Sequence, residues 1–353
     1  MPSSVTGPGT ASGDRLELHV DDVAGYLVER GVIGPGENVE VAALGGGVSH
    51  RVFAVERGAM GQADGPDLVV KQALARLHTA AHWEASTDRV IGEAAGLRSL
   101  AALLPQAVPQ VVELDIDGQV LVIEHAPPDW VDWKTVLLGG FVEATTAEWL
   151  GTSLGTWQRG TAGLDGLPSR LYERDAFEQL RTEAFYEVLR GSPAIPPAEL
   201  ESAIEDVRTA SDCLVHGDYS PKNVLIDPVA CTGWIIDLEA AHVGSAAYDV
   251  AFLASHLVLK AVHLPSQRAA LLATAARFVT AYEQAVGPQP ADPAVVARHL
   301  GCLLVARVDG RSPAPYLTPS ERDEVRRIGG TALASRTEHV SDVLDLVAAS
   351  EPA

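Results

Sequence analysis

The stretch Leu214-Val215-His216-Gly217-Asp218-Tyr219-Ser220-Pro221-Lys222-Asn223-Val224-Leu225-Ile226-Asp227 is followed shortly by Trp234-Ile235-Ile236-Asp237-Leu238-Glu239. The runs Val224–Ile226 and 234–236 have the pattern of short buried strands. Asp227-Pro228 and Gly233 mark a tight turn between them. A hairpin there draws Asn223 and Asp237 together, with Asp218 on the loop before it and Pro221 stiffening that loop. One carboxylate to receive a hydroxyl proton, with an amide and a second carboxylate to hold magnesium against ATP, is what metal-assisted phosphoryl transfer needs. Glu239 is a candidate for a further metal contact or for anchoring the turn that follows.

Upstream, residues 39–56 read as strand, glycine-rich turn, strand, with Gly45-Gly46-Gly47-Val48-Ser49 at the turn. Glycines let backbone N–H groups approach phosphate oxygens with no Cβ in the way, so Gly45, Gly46, Gly47 and Ser49 are candidate nucleotide contacts. The next strand, Leu68-Val69-Val70-Lys71, delivers one lysine to the place where a phosphate-binding lysine belongs. Residues 88–104 have helical periodicity, with Val90, Ile91, Ala94, Leu97, Leu100 and Leu104 on one face. Glu93 in that helix is positioned to pair with Lys71. A buried strand at 120–123 then runs into Glu124-His125-Ala126-Pro127-Pro128, a linker stiffened by proline. Its backbone is a candidate partner for the adenine edge, and the sequence leaves open which of Glu124, His125 and Ala126 is used.

The order of these elements resembles the aminoglycoside phosphotransferase and choline-kinase-like superfamily, from about residue 38 to about residue 320. The resemblance implies an α+β, two-lobed, protein-kinase-like fold, with a small sheet-rich N-terminal lobe and a larger, mostly helical C-terminal lobe. It also implies that Asp218 is the catalytic base, that Asn223 and Asp237 bind Mg2+, and that Lys71, paired with Glu93, contacts the phosphates of ATP. The N-terminal half is most similar to methylthioribose kinase, through Gly46-Gly47-Val48-Ser49, Val70-Lys71-Gln72-Ala73-Leu74, Trp83, Asp88-Arg89, Glu93 and Val108-Pro109. That family usually carries Ile-Asp-Pro-Glu-Phe after the catalytic loop, whereas this chain has Ile236-Asp237-Leu238-Glu239-Ala240. The segment Ala306-Arg307-Val308-Asp309-Gly310-Arg311-Ser312-Pro313 is similar instead to antibiotic-kinase-like members. His-Gly-Asp in place of His-Arg-Asp, and the lack of Asp-Phe-Gly and Ala-Pro-Glu segments, set the chain apart from protein kinases.

The expected organisation is a disordered leader at 1–14, a nucleotide-binding lobe at 15–123, a hinge at 124–128 and a catalytic and acceptor-binding lobe at 129–353. Helices are expected near 22–30, 145–159, 175–189, 197–210, 245–264, 266–285, 293–307 and 319–334. Trp130, Trp133, Trp149 and Trp157 follow the hinge, where they either pack in the core or line an acceptor pocket. The apolar helix near 247–264 is interrupted by Asp249, His256, Lys260 and His263, so it reads as a core helix and not as a membrane span. Cys213, Cys231 and Cys302 have no metal spacing and an odd count, as reduced thiols of a cytoplasmic protein would.

The 353 residues carry a net charge of −21 and no basic run, which argues against nucleic acid as a partner. Acidity suits a cationic acceptor, because a negative cleft concentrates positive ligands, but it also serves solubility. The function expected is transfer of the γ-phosphate of ATP, with Mg2+, to a hydroxyl of a small molecule. An aminoglycoside-like or other hydroxylated antibiotic is preferred, since the loop around Asp218 departs from methylthioribose kinase; methylthioribose is the alternative. A catalytically inactive kinase-like binding module is the rival of another class. The likeness to methylthioribose kinases, which dimerise, raises a homodimer as a further expectation.

Overall fold

The computed structural model describes residues 17–45, 50–58, 65–74, 87–163, 166–288 and 291–350. It has an antiparallel sheet-rich N-terminal part and a mostly helical C-terminal part. Helix α1 (Val20–Glu29) leads into β1 (Val39–Leu44), β2 (His50–Arg57) and β3 (Leu68–Ala73). Then come α2 (Arg89–Ala101), β4 (Val111–Asp115) and β5 (Val120–Glu124). The five strands form one antiparallel sheet in the order β1-β2-β3-β5-β4.

Strand alternation gives this sheet two working faces. Leu68 and Val70 on β3, with Val120 and Val122 on β5, turn toward Val23 and Leu27 of α1 in a small core. Ala73, Leu121 and Ile123 turn the other way, into the large core shared with the helical part. Lys71 lies between Val70 and Gln72, so the same alternation sends it to the second face, where α2 lies. Val90, Ala94, Leu97 and Leu100 of α2 are fully buried in that large core. Gly96 lets α2 come close to the segment that carries Asp237, for a Cβ there would stand 3.0 Å from Leu238 and 3.3 Å from Ala241.

The C-terminal part begins with β6 (Val131–Asp132), α3 (Trp133–Leu138) and α4 (Ala144–Thr161). A short helix, α5 (Asp175–Phe177), continues as a π-helix over Glu178–Tyr186 and a 3-10 turn over Glu187–Leu189. Next come α6 (Pro197–Thr209), β7 (Cys213–Val215), β8 (Val224–Ile226), β9 (Gly233–Ile235) and β10 (His242–Gly244). The chain ends in α7 (Ala246–His263), α8 (Arg268–Val286), α9 (Pro293–Asp309), α10 (Pro319–Ser335) and α11 (Val340–Ala348). β8 and β9 form the expected hairpin, in antiparallel register with Val224 opposite Ile235. β7 pairs with β10 and β8 also pairs with β6.

Two stretches differ from the sequence expectation. Residues 175–189 are not one α-helix but change pitch twice, and the wide π turn seats Arg181 against the loop that carries Asp218 while Leu180, Ala184 and Tyr186 stay buried. α11 was not anticipated, although Val340, Val343, Leu344 and Val347 line one buried face at helical spacing. Trp133 and Trp157 are core residues, and Trp157 Nε1 donates to the Leu214 carbonyl at 2.5 Å. Among the described residues no single helix is long and apolar enough to cross a membrane. The three cysteines are free.

Candidate active site

The loop that carries Asp218 is held from three sides. Asp249, near the start of α7, accepts the N–H of His216 at 2.6 Å and of Gly217 at 3.0 Å. Gly217 has φ +77, and a Cβ there would meet the Ala240 carbonyl oxygen at 2.6 Å, so no other residue fits this turn. Arg181 donates through Nε to the Gly217 carbonyl at 2.7 Å. His216 Nδ1 accepts from Asp218 N at 3.2 Å, which leaves Nε2–H to donate to the Ile236 carbonyl at 3.0 Å. Burial pushes the His216 imidazole down to about 4, so it is neutral and acts as a brace between the two loops.

Asp218 is buried, and its Oδ2 gathers three partners. Arg181 lies at 2.8 Å, Lys222 at 2.8 Å and Asn223 Nδ2 at 2.9 Å. Burial works against its charge, but Arg181 and Lys222 outweigh that and hold the carboxyl below its usual range. Asn223 also donates Nδ2 to the Asp218 carbonyl at 3.0 Å. Both of those bonds use the amide nitrogen, so Oδ1 is the end left for a ligand. The Asn223 carbonyl accepts from Ile236 N at 2.9 Å, which fixes Asn223 beside Asp237.

Asp237 takes a left-handed backbone, φ +68, uncommon for a residue with a side chain. Lys71 Nζ joins it to α2: Glu93 Oε1 is at 2.6 Å and Asp237 Oδ1 at 3.4 Å. Burial penalises the Lys71 charge, but Glu93 and Asp237 more than offset it and hold the lysine protonated. Burial likewise opposes ionisation of Asp237, and Lys71 and Lys222 override it, leaving this carboxyl below its usual range. Glu239 is engaged by Arg89 and lies near His50. Its Oε2 accepts from Arg89 Nε at 3.0 Å and lies 3.6 Å from His50 Nδ1, an arrangement that ties the loop to α2 and β2.

In the 124–128 linker, Glu124 N–H donates to the Gln110 carbonyl at 3.0 Å and His125 N–H to the Asp67 carbonyl at 2.8 Å. Ala126 is buried, and its carbonyl lies 2.5 Å from His125 Nδ1. Gly45 lines a shallow depression with His50 and Arg51. Gly46, Gly47 and Ser49 lie outside the described residues.

Next to Asp218 opens a cavity of about 250 Å³, walled by the π-helix, α7, α9 and the segment after α9. Five basic side chains line it against two carboxylates, Asp218 and Glu239. Its charge is therefore opposite to that of the chain, which departs from the expectation that acidity would favour a cationic acceptor. None of the four tryptophans after the linker is among its lining residues.

Sequence reasoning missed Asp249, Arg181 and Arg89 as builders of this site, and Lys260 and Arg307 as part of the cavity wall. The signal for Asp249 and Lys260 was present, as charges set within an apolar helix. Arg181 gave none, because its role depends on a turn of unusual pitch.

Residues 40–294 match the phosphotransferase enzyme family. The chain belongs to that family. Amicoumacin kinase hAmiN, solved in complex with AMP-PNP, Ca2+ and Ami, is 15% identical over 93% of this chain and 96% of that one, with a TM-score of 0.53. A choline/ethanolamine kinase family protein from Mesorhizobium loti is 16% identical over 93% and 99%, with a TM-score of 0.50. These two share the fold of this phosphotransferase. The macrolide 2'-phosphotransferase MphH from Brachybacterium faecium is 19% identical over 94% and 99%, with a TM-score of 0.48. No curated protein matches the sequence.

Proposed function

We propose that this small-molecule phosphotransferase moves the γ-phosphate of ATP, with magnesium, to a hydroxyl of its acceptor. The observation that carries the proposal is the linkage of Asp218, Asn223, Asp237, Lys71 and Glu93 through hydrogen bonds and ion pairs. An inactive binding module has no need to keep all five.

The donor set fits magnesium. Asn223 Oδ1 and the Asp237 carboxylate are hard oxygen ligands, and two protein ligands suffice for an ion that keeps several waters and binds substrate phosphates. Bound there, magnesium would offset the charge of the ATP phosphates. Lys71 would hold the nucleotide's phosphates, with Glu93 keeping the ammonium in place. Ala126 N–H would serve the adenine edge, since the N–H groups of Glu124 and His125 are already engaged.

Asp218 would accept a hydrogen bond from the acceptor hydroxyl and orient it in line with the transferred phosphate. Its cationic neighbours make it a weak base, which suits a loose transition state in which the hydroxyl proton leaves late. The test is release of ADP from magnesium ATP against a panel of sugars, aminoglycosides, hydroxy acids and amino alcohols. An acceptor-dependent turnover that Asp218→Asn removes is the expected result, and nucleotide binding with no turnover on any acceptor class would favour the binding module.

A further inference from the structure

We propose that the acceptor is an anion, a compact hydroxylated molecule whose carboxylate or phosphate is held by Lys260 and Arg307 in the cavity beside Asp218. The inference rests on the phosphotransferase reading of that site and names the class of its acceptor.

Lys260 is fully buried in the last turn of α7. Its Nζ donates to the His256 carbonyl at 3.3 Å and lies 5.7 Å from the centre of the Tyr316 ring. Arg307 donates to the carbonyl and, at 3.1 Å, the hydroxyl of Ser312, and its guanidinium lies 5.9 Å from the Phe185 ring centre. Its Nε is buried with no hydrogen-bond partner. Among the described residues no ion pair joins either cation to a carboxylate. The carboxylates on the cavity wall are committed elsewhere, Asp218 to Arg181 and Lys222 and Glu239 to Arg89.

Two cations facing one cavity, Lys260 fully buried and Arg307 half-buried, neither of them ion-paired to a carboxylate among the described residues, are costly, because desolvation and mutual repulsion both act against them. Burial, Arg307 and Lys134 together push the Lys260 ammonium down to about 7. Such an arrangement is stabilised when a ligand supplies the missing negative charge. A planar guanidinium beside an ammonium matches the oxygens of a carboxylate or phosphate. The same field repels a polycation, so the aminoglycoside-like acceptor suggested by overall acidity fits this cavity poorly. At about 250 Å³ the cavity also falls just below the usual span of ligand pockets, roughly 300–1,000 Å³, which suits a compact acceptor.

The test is a binding titration under saturating magnesium AMP-PNP, which keeps the nucleotide site filled. The probes are glycerate against glycerol, ribose 5-phosphate against ribose, and kanamycin as the polycation. The expected result is that an anion binds at least tenfold more tightly than its neutral partner and than kanamycin. Lys260→Met and Arg307→Met should each weaken that anion at least tenfold while AMP-PNP affinity stays the same. Lys260→Arg, which keeps the charge, should retain the preference for anions and guards against a fold defect in the Met variant. The better of glycerate and ribose 5-phosphate tells carboxylate from phosphate. Anions that bind no more tightly than their neutral partners, or equally well to wild type and both Met variants, overturn the proposal and leave the phosphotransferase reading intact. Failure of the wild type to bind AMP-PNP removes that reading, and this inference with it.

Discussion

Asp249 Oδ2 accepts the backbone N–H of His216 at 2.6 Å, so a residue of α7 sets the path of the chain two positions before Asp218. Burial lifts this carboxyl to about 7, although the N–H groups of His216 and Gly217 pull it down.

Asp249→Asn should lower turnover roughly 10- to 100-fold by displacing Asp218, with a smaller effect on nucleotide affinity. The pH behaviour gives a second readout. Between 3.8, the ordinary value, and about 7 the folded protein holds a proton on Asp249 that the unfolded chain has lost. Stability from this group is therefore greatest at low pH and falls as pH rises through that window. Turnover should move the opposite way, because a protonated carboxyl accepts the loop's N–H groups less well. Thermal unfolding and initial rates from pH 5 to 8 should show both trends in wild type and neither in the variant; parallel pH profiles for the two proteins would count against this role.

Asp218→Asn should reduce turnover by about 10²–10⁴-fold, the usual range for loss of a general base. Magnesium AMP-PNP should bind nearly as before, since Asp218 faces the acceptor. Steady-state rates and nucleotide titration check this, and turnover within a few-fold of wild type would remove Asp218 from the chemistry.

Lys71 is shared between Glu93 and Asp237. Glu93→Gln should release Lys71 toward Asp237 and set it in competition with magnesium. The expected outcome is a magnesium requirement raised several-fold, whereas Asp237→Ala should abolish saturation by magnesium altogether. Rates measured across a magnesium series at fixed ATP distinguish the two, and an unchanged magnesium midpoint in Glu93→Gln would refute the sharing.

Gly217→Ala should destabilise the protein by roughly 2–4 kcal/mol, combining a left-handed backbone with a clash against the Ala240 carbonyl. Denaturant unfolding measures the loss. A change below about 0.5 kcal/mol, the size typical of neutral surface substitutions, would mean that the loop relaxes freely.

The parts of this site that local rules govern were legible in the sequence. A strand following the glycine-rich turn delivered Lys71, helical spacing presented Glu93, and two short apolar runs around a turn made the hairpin that joins Asn223 to Asp237. Glu239 was legible as a polar residue near the loop, but its partner Arg89 is distant in sequence, and only folding reveals the pair. The cavity's charge was not legible at all. A net charge of −21 is a property of the whole chain, while Lys260 and Arg307 come from two helices that meet only in three dimensions. Lys260 had argued only against a membrane span, and Arg307 had been read only as part of the segment similar to antibiotic-kinase-like members.

The burial of α2 has a consequence for how the molecule comes apart. Val90, Leu97 and Leu100 share one continuous core with residues from α4, α7 and α9, together with Leu121 and Ile123 of the sheet. The sheet therefore cannot be stripped from the helical part without baring an apolar face to water. Heat or denaturant should melt both parts in one cooperative step. A fragment ending at Glu124 would carry that uncovered face and collect into aggregates instead of standing alone.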